Sequence, residues 1–550
     1  MSQRLRVAII EDNATARATI RSHLIVLGNL EVASFSTGTE LKNALKKQNF
    51  ELLIFDFHLG QRRNGVEWVQ ILRQSQFIQP STGIVFITAD RLPQTIGQII
   101  DTHPDLLLLK PYTINALHRG VNHYLEYRKH AATALRYMDE GNTAAAITTL
   151  DKRRREKLPP RVATDLEKLR ARLLLQKGDY PAALAIYERT LAQSNKVLWA
   201  QWGKLKCHYQ TGDWSACHAS LDDMLETLLT RDKAFEWLAC LSFEQESYEK
   251  AEFFLDHIQD SDLSLPATRL KTMTYQKQNR IVESIDLLQK KREYNRSTKE
   301  RFDEFTFELA EFYLSIAQES PHNHREESLS QARKLMGVAA RSQSDLQVQQ
   351  RHDYLLAYSY VMEDQLSKAR EVINREHMNV FQRSSASTLI VAARVVNSLG
   401  DEKRALEMLE LARNKSELGE MPAEQQTLQT RMLTAEKDTG LADKRAEQFN
   451  EQGQQLFVKK QYLDALAAFY RALQLTPDEP AYQLNMLQTL LVCDTDSYRA
   501  MTLQTLIAGL LAQPLSDNNQ RRYAQLVQQY PHIATVTKAP DNNSSASEAG

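Results

Sequence analysis

Residues 52–60 read LLIFDFHLG, and the apolar run Leu52–Phe55 leading straight into Asp56 decides how the first part of the chain folds. A short run without polar alternation suits a strand covered on both faces. Similar runs stand at Arg6–Ile10, Glu31–Phe35, Ile84–Ile87 and Leu106–Leu109, with amphipathic stretches between them. Strand and helix in alternation predict an α/β doubly wound parallel five-stranded sheet with helices on both sides. In such sheets ligands sit beyond the carboxyl ends of the strands.

The residues at those ends are chemically selective. Glu11 and Asp12 follow the first run, Asp56 the third, Thr88 the fourth and Lys110 the fifth. Three carboxylates gathered at one edge repel one another, and a hard divalent cation relieves that repulsion. Mg²⁺ fits, held by Asp12 and Asp56 with Glu11 acting directly or through water. Lys110 supplies a cation for an anionic oxygen, and Thr88 a hydroxyl donor. A carboxylate nucleophile beside Mg²⁺, a lysine and a hydroxyl describes a phosphoryl-transfer site, with Asp56 attacking in line.

Four motifs carry a family resemblance: VAIIEDN at 7–13, LLIFDFHLG at 52–60, FITAD at 86–90 and LLLLKPY at 106–112. Taken in order, from Val7 to about Tyr127, they resemble the flavodoxin-like receiver domain of bacterial two-component response regulators. The resemblance implies that Asp56 is the phosphoacceptor and that Glu11, Asp12, Asp56 and the backbone carbonyl of His58 hold Mg²⁺. It assigns phosphate contacts to Thr88 and Lys110, and a cis bond to Lys110–Pro111. A sensor histidine kinase or phosphotransfer protein would be the donor. Such a domain promotes only its own phosphoryl transfer and dephosphorylation, so no enzyme acting on a bulk substrate is expected.

The chain departs from that family at two places, and His58 stands at a position that in the family tends to influence loss of the phosphoryl group. Leu107 stands where an aromatic residue is frequent, so the relay from Thr88 to the surface is either muted or carried by others such as Tyr112. The loop GQRRNG at 60–65 is longer and basic, and Arg62 and Arg63 read as solvated before they read as a docking contact. His58 reads first as a surface side chain; the rival reading has it ordering or excluding the water that removes the phosphoryl group.

From about residue 131 the strand pattern stops and apolar residues recur at three and four. Gly178-Asp179-Tyr180, Gly212-Asp213-Trp214 and Glu246-Ser247-Tyr248 stand 34 residues apart, as do Ala183, Cys217 and Ala251, and Tyr187, Leu221 and Leu255. That period is the length of a tetratricopeptide (TPR) helix–turn–helix unit. The clearest copy covers 446–479, with Gly453, Leu456, Tyr462, Ala465, Phe469, Ala472 and Pro477 at repeat spacing. Gly453 and Ala465 allow two helices to approach, Phe469 fills the gap between them, and Pro477 ends the second helix. Weaker copies centre on Gly141–Ala146, Ile281–Ile285, Gln331–Leu335, Gln365–Ala369 and Gly400–Ala405, with insertions around 290–330 and 415–445. The expected organisation is a receiver at 1–127, an all-α TPR solenoid at 131–535 of about nine or ten helix pairs, and a disordered tail at 536–550.

Bulk properties narrow the function. A net charge of −1 on 550 residues, with 42% hydrophobic content, gives no basic excess for phosphate neutralisation, so nucleic acid is an unlikely partner. The basic stretch Asp151–Arg161 (DKRRREKLPPR) reads as a solvated connection between repeats. Four scattered cysteines suit buried positions in a reducing cytosol, not disulfides or zinc. No apolar stretch is long enough for a signal peptide or membrane span, so a cytoplasmic location is expected. No helix-turn-helix, nucleotide loop or second-messenger signature follows residue 125. These features point to a response regulator whose solenoid binds a protein or peptide. The rival is a scaffold whose receiver docks without turning over.

Overall fold

The computed structural model describes residues 4–60, 63–319, 322–340, 346–417 and 421–533. The tail expected at 536–550 and Arg62 lie outside these. Contacts divide the chain into two compact units: the residues up to Cys207 with His218–Gln429, and His208–Cys217 with the residues from Thr430 onward.

The first unit opens with β1 (Leu5–Ile10), α1 (Ala14–Ile25), β2 (Leu30–Phe35), α2 (Gly38–Leu45), β3 (Leu52–Phe55), α3 (Gly65–Gln74), β4 (Gly83–Thr88), α4 (Pro93–Asp101), β5 (Leu106–Leu109) and α5 (Ile114–Asp139). The strands pair in parallel in the order β2-β1-β3-β4-β5, with Val7 opposite Leu52, Leu52 opposite Gly83 and Val85 opposite Leu106. This is the doubly wound sheet expected from the apolar runs. Every residue of β3 and β4 is buried, because helices cover both faces. One face packs Ala8, Ile10, Leu53, Phe55 and Phe86 against α2 and α3, the other Val7, Ile9, Ile54 and Val85 against α1 and α5.

Helix α5 is continuous for 26 residues. Leu117, Val121 and Tyr124 close the sheet's core, while Ala131, Ala134, Leu135 and Met138 belong to a core built with the helices that follow. These are α6 (Thr143–Arg153), α7 (Pro160–Lys177), α8 (Tyr180–Gln193), α9 (Leu198–Thr211) and α10 (Trp214–Leu225). Next come α11 (Arg231–Glu244), α12 (Tyr248–Asp256), α13 (Leu265–Lys277), α14 (Ile281–Tyr294), α15 (Lys299–Glu319) and α16 (His322–Ala340). Then follow α17 (Leu346–Met362), α18 (Leu366–Ile373), α19 (Ala386–Ser398), α20 (Glu402–Glu417), α21 (Pro422–Asp438), α22 (Ala442–Val458), α23 (Tyr462–Leu475) and α24 (Pro480–Val492). The insertion expected at 415–445 thus contains a full helix, α21.

Helices pack on their sequence neighbours in pairs, among them α7 with α8, α11 with α12, α15 with α16, α17 with α18, α19 with α20 and α22 with α23. The repeated positions do what their spacing predicts. Ala183, Cys217 and Ala251 are fully buried, and Tyr187, Leu221 and Leu255 nearly so. The repeated turns enter the left-handed region at Gly178, Gly212 and Glu246, with φ of +84°, +75° and +59°. Cys207, Cys217 and Cys240 are buried and Cys493 half-buried, all with free thiols. In the basic stretch, Arg153 pairs with Glu156 at 2.7 Å and Arg154 with Glu167 at 2.6 Å. Among the described residues no helix is long and apolar enough to cross a membrane.

In the second unit, a β-carbon placed on Gly453 would lie 2.5 Å from the ring of Phe469, so α22 and α23 meet at van der Waals distance there. Leu484, Leu487, Leu490 and Leu506 extend the same apolar core. The chain ends its described part with β6 (Ser497–Tyr498), β7 (Met501–Thr502), α25 (Leu503–Leu511) and α26 (Asp517–Gln529). Between the short strands, the Arg499 guanidinium lies 4.6 Å from the Tyr209 ring centroid, and the backbone N–H of Arg499 donates to Gly212 O at 3.0 Å.

Two stability predictions follow from buried groups. Phe469→Ala opens a cavity against Gly453 and should cost about 3–5 kcal/mol in urea unfolding of the second unit. In the first unit, Glu236 on α11 is buried and accepts the N–H of Ala423, in the first turn of α21, at 3.2 Å. Burial pushes its carboxyl up to about 7, from an ordinary 4.5. The folded chain therefore holds this proton more tightly than the unfolded chain, and stability falls as pH rises from 4.5 to about 7. Glu236→Gln keeps the acceptor and removes the titration. Its urea midpoint should match wild type near the lower pH and exceed it above the upper one.

Candidate functional site

The sheet sets the positions of the polar residues through its own backbone ladder. Glu11 N donates to Phe35 O at 3.2 Å, Asp56 N to Ile10 O at 2.9 Å and Lys110 N to Thr88 O at 2.7 Å. Each side chain thus leaves a strand end that is hydrogen-bonded to its neighbour. The oxygens of Glu11, Asp12 and Asp56 lie within 4.8 Å of one another. Gly60 turns the chain beside them with φ +71°, and a β-carbon there would lie 3.1 Å from Asp12 Oδ2.

Lys110 Nζ donates to Glu11 Oε2 at 2.7 Å and to Asp56 Oδ2 at 3.2 Å. Glu11 is 2% exposed, and the side chain of Asp56 is 11% exposed. Burial, opposed by Lys110, raises the affinity of both carboxyls for a proton. Burial would lower the lysine, but its hydrogen bond to Glu11 and the charge of Asp56 win and raise it. The backbone N–H of Phe57 donates to Asp56 Oδ1 at 2.9 Å, which leaves the carboxylate oriented from one side by protein donors. An all-oxygen donor set of three acids fits a hard divalent cation. Glu11, Asp12 and Asp56 would hold it and Lys110 would remain a neighbouring cation.

The remaining expected residues fall close by. Thr88 is fully buried and its hydroxyl accepts the N–H of Asp90 at 3.1 Å. Lys110–Pro111 is cis. Leu107 pairs with Phe86 across β4 and β5 and packs into the core beside the stacked rings of Phe55 and Phe86. Tyr112 is half-buried and meets the His23 ring edge-on at 6.4 Å. The imidazole of His58 is 63% exposed, as expected of a surface side chain, but shares a hydrogen bond with Asp90 Oδ2 at 2.9 Å.

Asp90 was not among the expected functional residues. It accepts from Leu92 N at 2.9 Å and from the Thr95 hydroxyl at 2.8 Å, so it ties the end of β4, His58 and α4 together. Burial would raise its carboxyl, but the hydrogen bonds of Leu92, Thr95 and His58 outweigh that and hold it low. Its place in FITAD was the available signal.

The loop arginine Arg63 requires a correction. It is not simply solvated: it pairs with Glu304 at 2.5 Å and Glu300 at 3.6 Å, both on α15. Arg301 of α15 answers with a 2.9 Å bond to Glu67 of α3. Gln74 donates to Glu424 of α21 at 3.1 Å, and Lys42 of α2 to Gln347 of α17 at 3.2 Å. At the far end of α4, Asp101 meets Lys233 of α11 at 2.7 Å.

Residues 7–122 match the family model of the response regulator receiver domain, and residues 174–233 match a tetratricopeptide repeat model. A comparison with curated proteins gave no match. Similar solved structures include a BeF3-activated DrrB receiver domain, 19% identical with a TM-score of 0.20 over 22% of this chain and 98% of that one. Another is the chemotaxis protein CheY4 of Vibrio cholerae, 21% identical with a TM-score of 0.20 over 22% of this chain and 98% of that one. A tetratricopeptide repeat protein from Parabacteroides merdae is 13% identical, with a TM-score of 0.30 over 55% of this chain and 98% of that one. The chain therefore joins a receiver domain to TPR repeats, which supports a response-regulator-like protein with output by protein interaction. Receiver domains generally bind Mg²⁺ at an acidic pocket, and the three clustered carboxylates form such a pocket here.

Lys110→Met removes the cation that Glu11 and Asp56 share and should lower receiver stability by about 2 kcal/mol in Mg²⁺-free buffer. Adding Glu11→Gln to that variant should recover much of the loss, read as the urea midpoint of the α/β part.

Proposed function

We propose that this protein is a response regulator phosphorylated on Asp56 by a histidine kinase or phosphotransfer protein, with output through the TPR helices. The observation that carries the reading is the meeting of Asp56, Lys110, Glu11 and Asp12 at adjoining strand ends. Asp56 Oδ attacks phosphorus, a P–O bond forms, and the P–N bond of the donor phosphohistidine breaks, with its electron pair returning to the imidazole. Lys110 meets the charge on the arriving phosphoryl oxygens, and Thr88 gives its hydroxyl to one of them. Mg²⁺, held by Glu11, Asp12, Asp56 and the backbone carbonyl of His58, would neutralise the same oxygens. His58, held by Asp90 two residues beyond Thr88, would order or exclude the water that removes the group.

The docking-only rival draws support from the ion pairs that fix α3 to α15. It requires that Asp56→Asn leave every partner interaction unchanged.

Incubation with acetyl phosphate and Mg²⁺ should give a slower band on a phosphate-affinity gel that Asp56→Asn lacks entirely. Asp12→Asn should reduce the band by about tenfold or more, and EDTA should abolish it. No band with acetyl phosphate or with any kinase would overturn the assignment of Asp56.

A further inference from the structure

Among the solenoid helices that touch the receiver, α15, α17 and α21 meet α2 and α3, while α7 and α11 meet α5 and α4. The contacts are polar and reciprocal: an arginine of the receiver meets acids of α15, and an arginine of α15 meets an acid of the receiver. Two of them flank the start of α3. Asn64 and Glu67 form a capping box there, with Glu67 N donating to Asn64 Oδ1 at 2.9 Å and Asn64 N to Glu67 Oε2 at 2.8 Å. Glu67 Oε2 is also the atom that accepts from Arg301. One carboxylate oxygen therefore starts a receiver helix and holds a solenoid helix.

Between Arg63 and Glu67 lies Gly65, and it couples this junction to Asp56. Gly65 N donates to Phe57 O at 2.8 Å, and a β-carbon on Gly65 would lie only 2.4 Å from the carbonyl oxygen of Asp56. Only a residue without a β-carbon lets the two backbones pass this close. The Gly65–Phe57 hydrogen bond ties the first turn of α3, with the two ion pairs that flank it, to the residue that follows Asp56.

We propose that the receiver is a ligand of its own solenoid, seated on α15, α17 and α21 by α2 and α3, and that phosphorylation of Asp56 unseats it through Gly65 and the Arg63 and Glu67 ion pairs. This rests on the reading of Asp56 as phosphoacceptor. The route runs through the start of α3 and does not depend on an aromatic residue at position 107. The α15 surface that Arg63 leaves carries Glu300 and Glu304, so a partner that replaces the receiver there presents a basic side chain.

The test is hydrogen exchange on the full chain, with and without Mg²⁺ and beryllofluoride, the probe that stands in for the phosphoryl group. Beryllofluoride should slow exchange around residues 52–60 and speed exchange in α15 and α21 by roughly tenfold. Arg63→Glu should speed α15 and α21 without beryllofluoride, and beryllofluoride should then add little. Arg63→Glu with Glu304→Arg should restore slow exchange and the response. If residues 52–60 respond while α15 and α21 do not, the seat is not under phosphoryl control and the proposal is overturned with Asp56 left standing. If residues 52–60 themselves do not respond, the phosphoacceptor reading fails first and this proposal with it.

Discussion

Three carboxylates within 4.8 Å cannot share a partly buried cleft without a positive charge, and Lys110 provides it. The position of that ammonium depends on the β4–β5 ladder and on the bond from Lys110 N to Thr88 O. The third strand end brings in Asp56, and the carbonyl of the next residue, Phe57, accepts the N–H of Gly65. One electrostatic constraint thus fixes both the reactive face of the sheet and the starting point of α3. Two of the ion pairs between the receiver and α15 flank that point.

The sheet was legible because buried strands leave unmistakable apolar runs, and the site because a parallel sheet carries whatever follows those runs to one edge. The 34-residue step was legible for a similar reason. It repeats a helix–turn–helix whose turn enters the left-handed region and whose small residues are buried, and both leave traces at fixed intervals. Glu246 keeps the turn without the glycine, so the step survives there only in its neighbours Ser247 and Tyr248.

The seating of the receiver was not legible. Arg63 and Glu304 are 241 residues apart, Glu67 and Arg301 are 234, and Gln74 and Glu424 are 350. Each is a polar residue that local pattern assigns to solvent, and nothing within reach of a helical or strand period hints at its partner. Asp90 was missed for another reason. It lay inside a quoted motif, but its importance comes from His58 and Thr95 folding onto it from two different segments. Helix α21 sat in a stretch that broke the repeat period, and a single helix has no period against which to be recognised.

The unbroken α5 has a consequence for affinity. A 26-residue helix is about 39 Å of semi-rigid rod, shared at its two ends by the sheet core and the first repeat core. A receiver released from its seat is therefore still leashed beside it, and its return is an intramolecular step governed by effective concentration, not by encounter in solution. A competing partner must bind tightly enough to win against a ligand that never leaves. Under the proposed release, such a leash would keep the resting state self-occupied, and the charge on Asp56 would set how much competitor is needed.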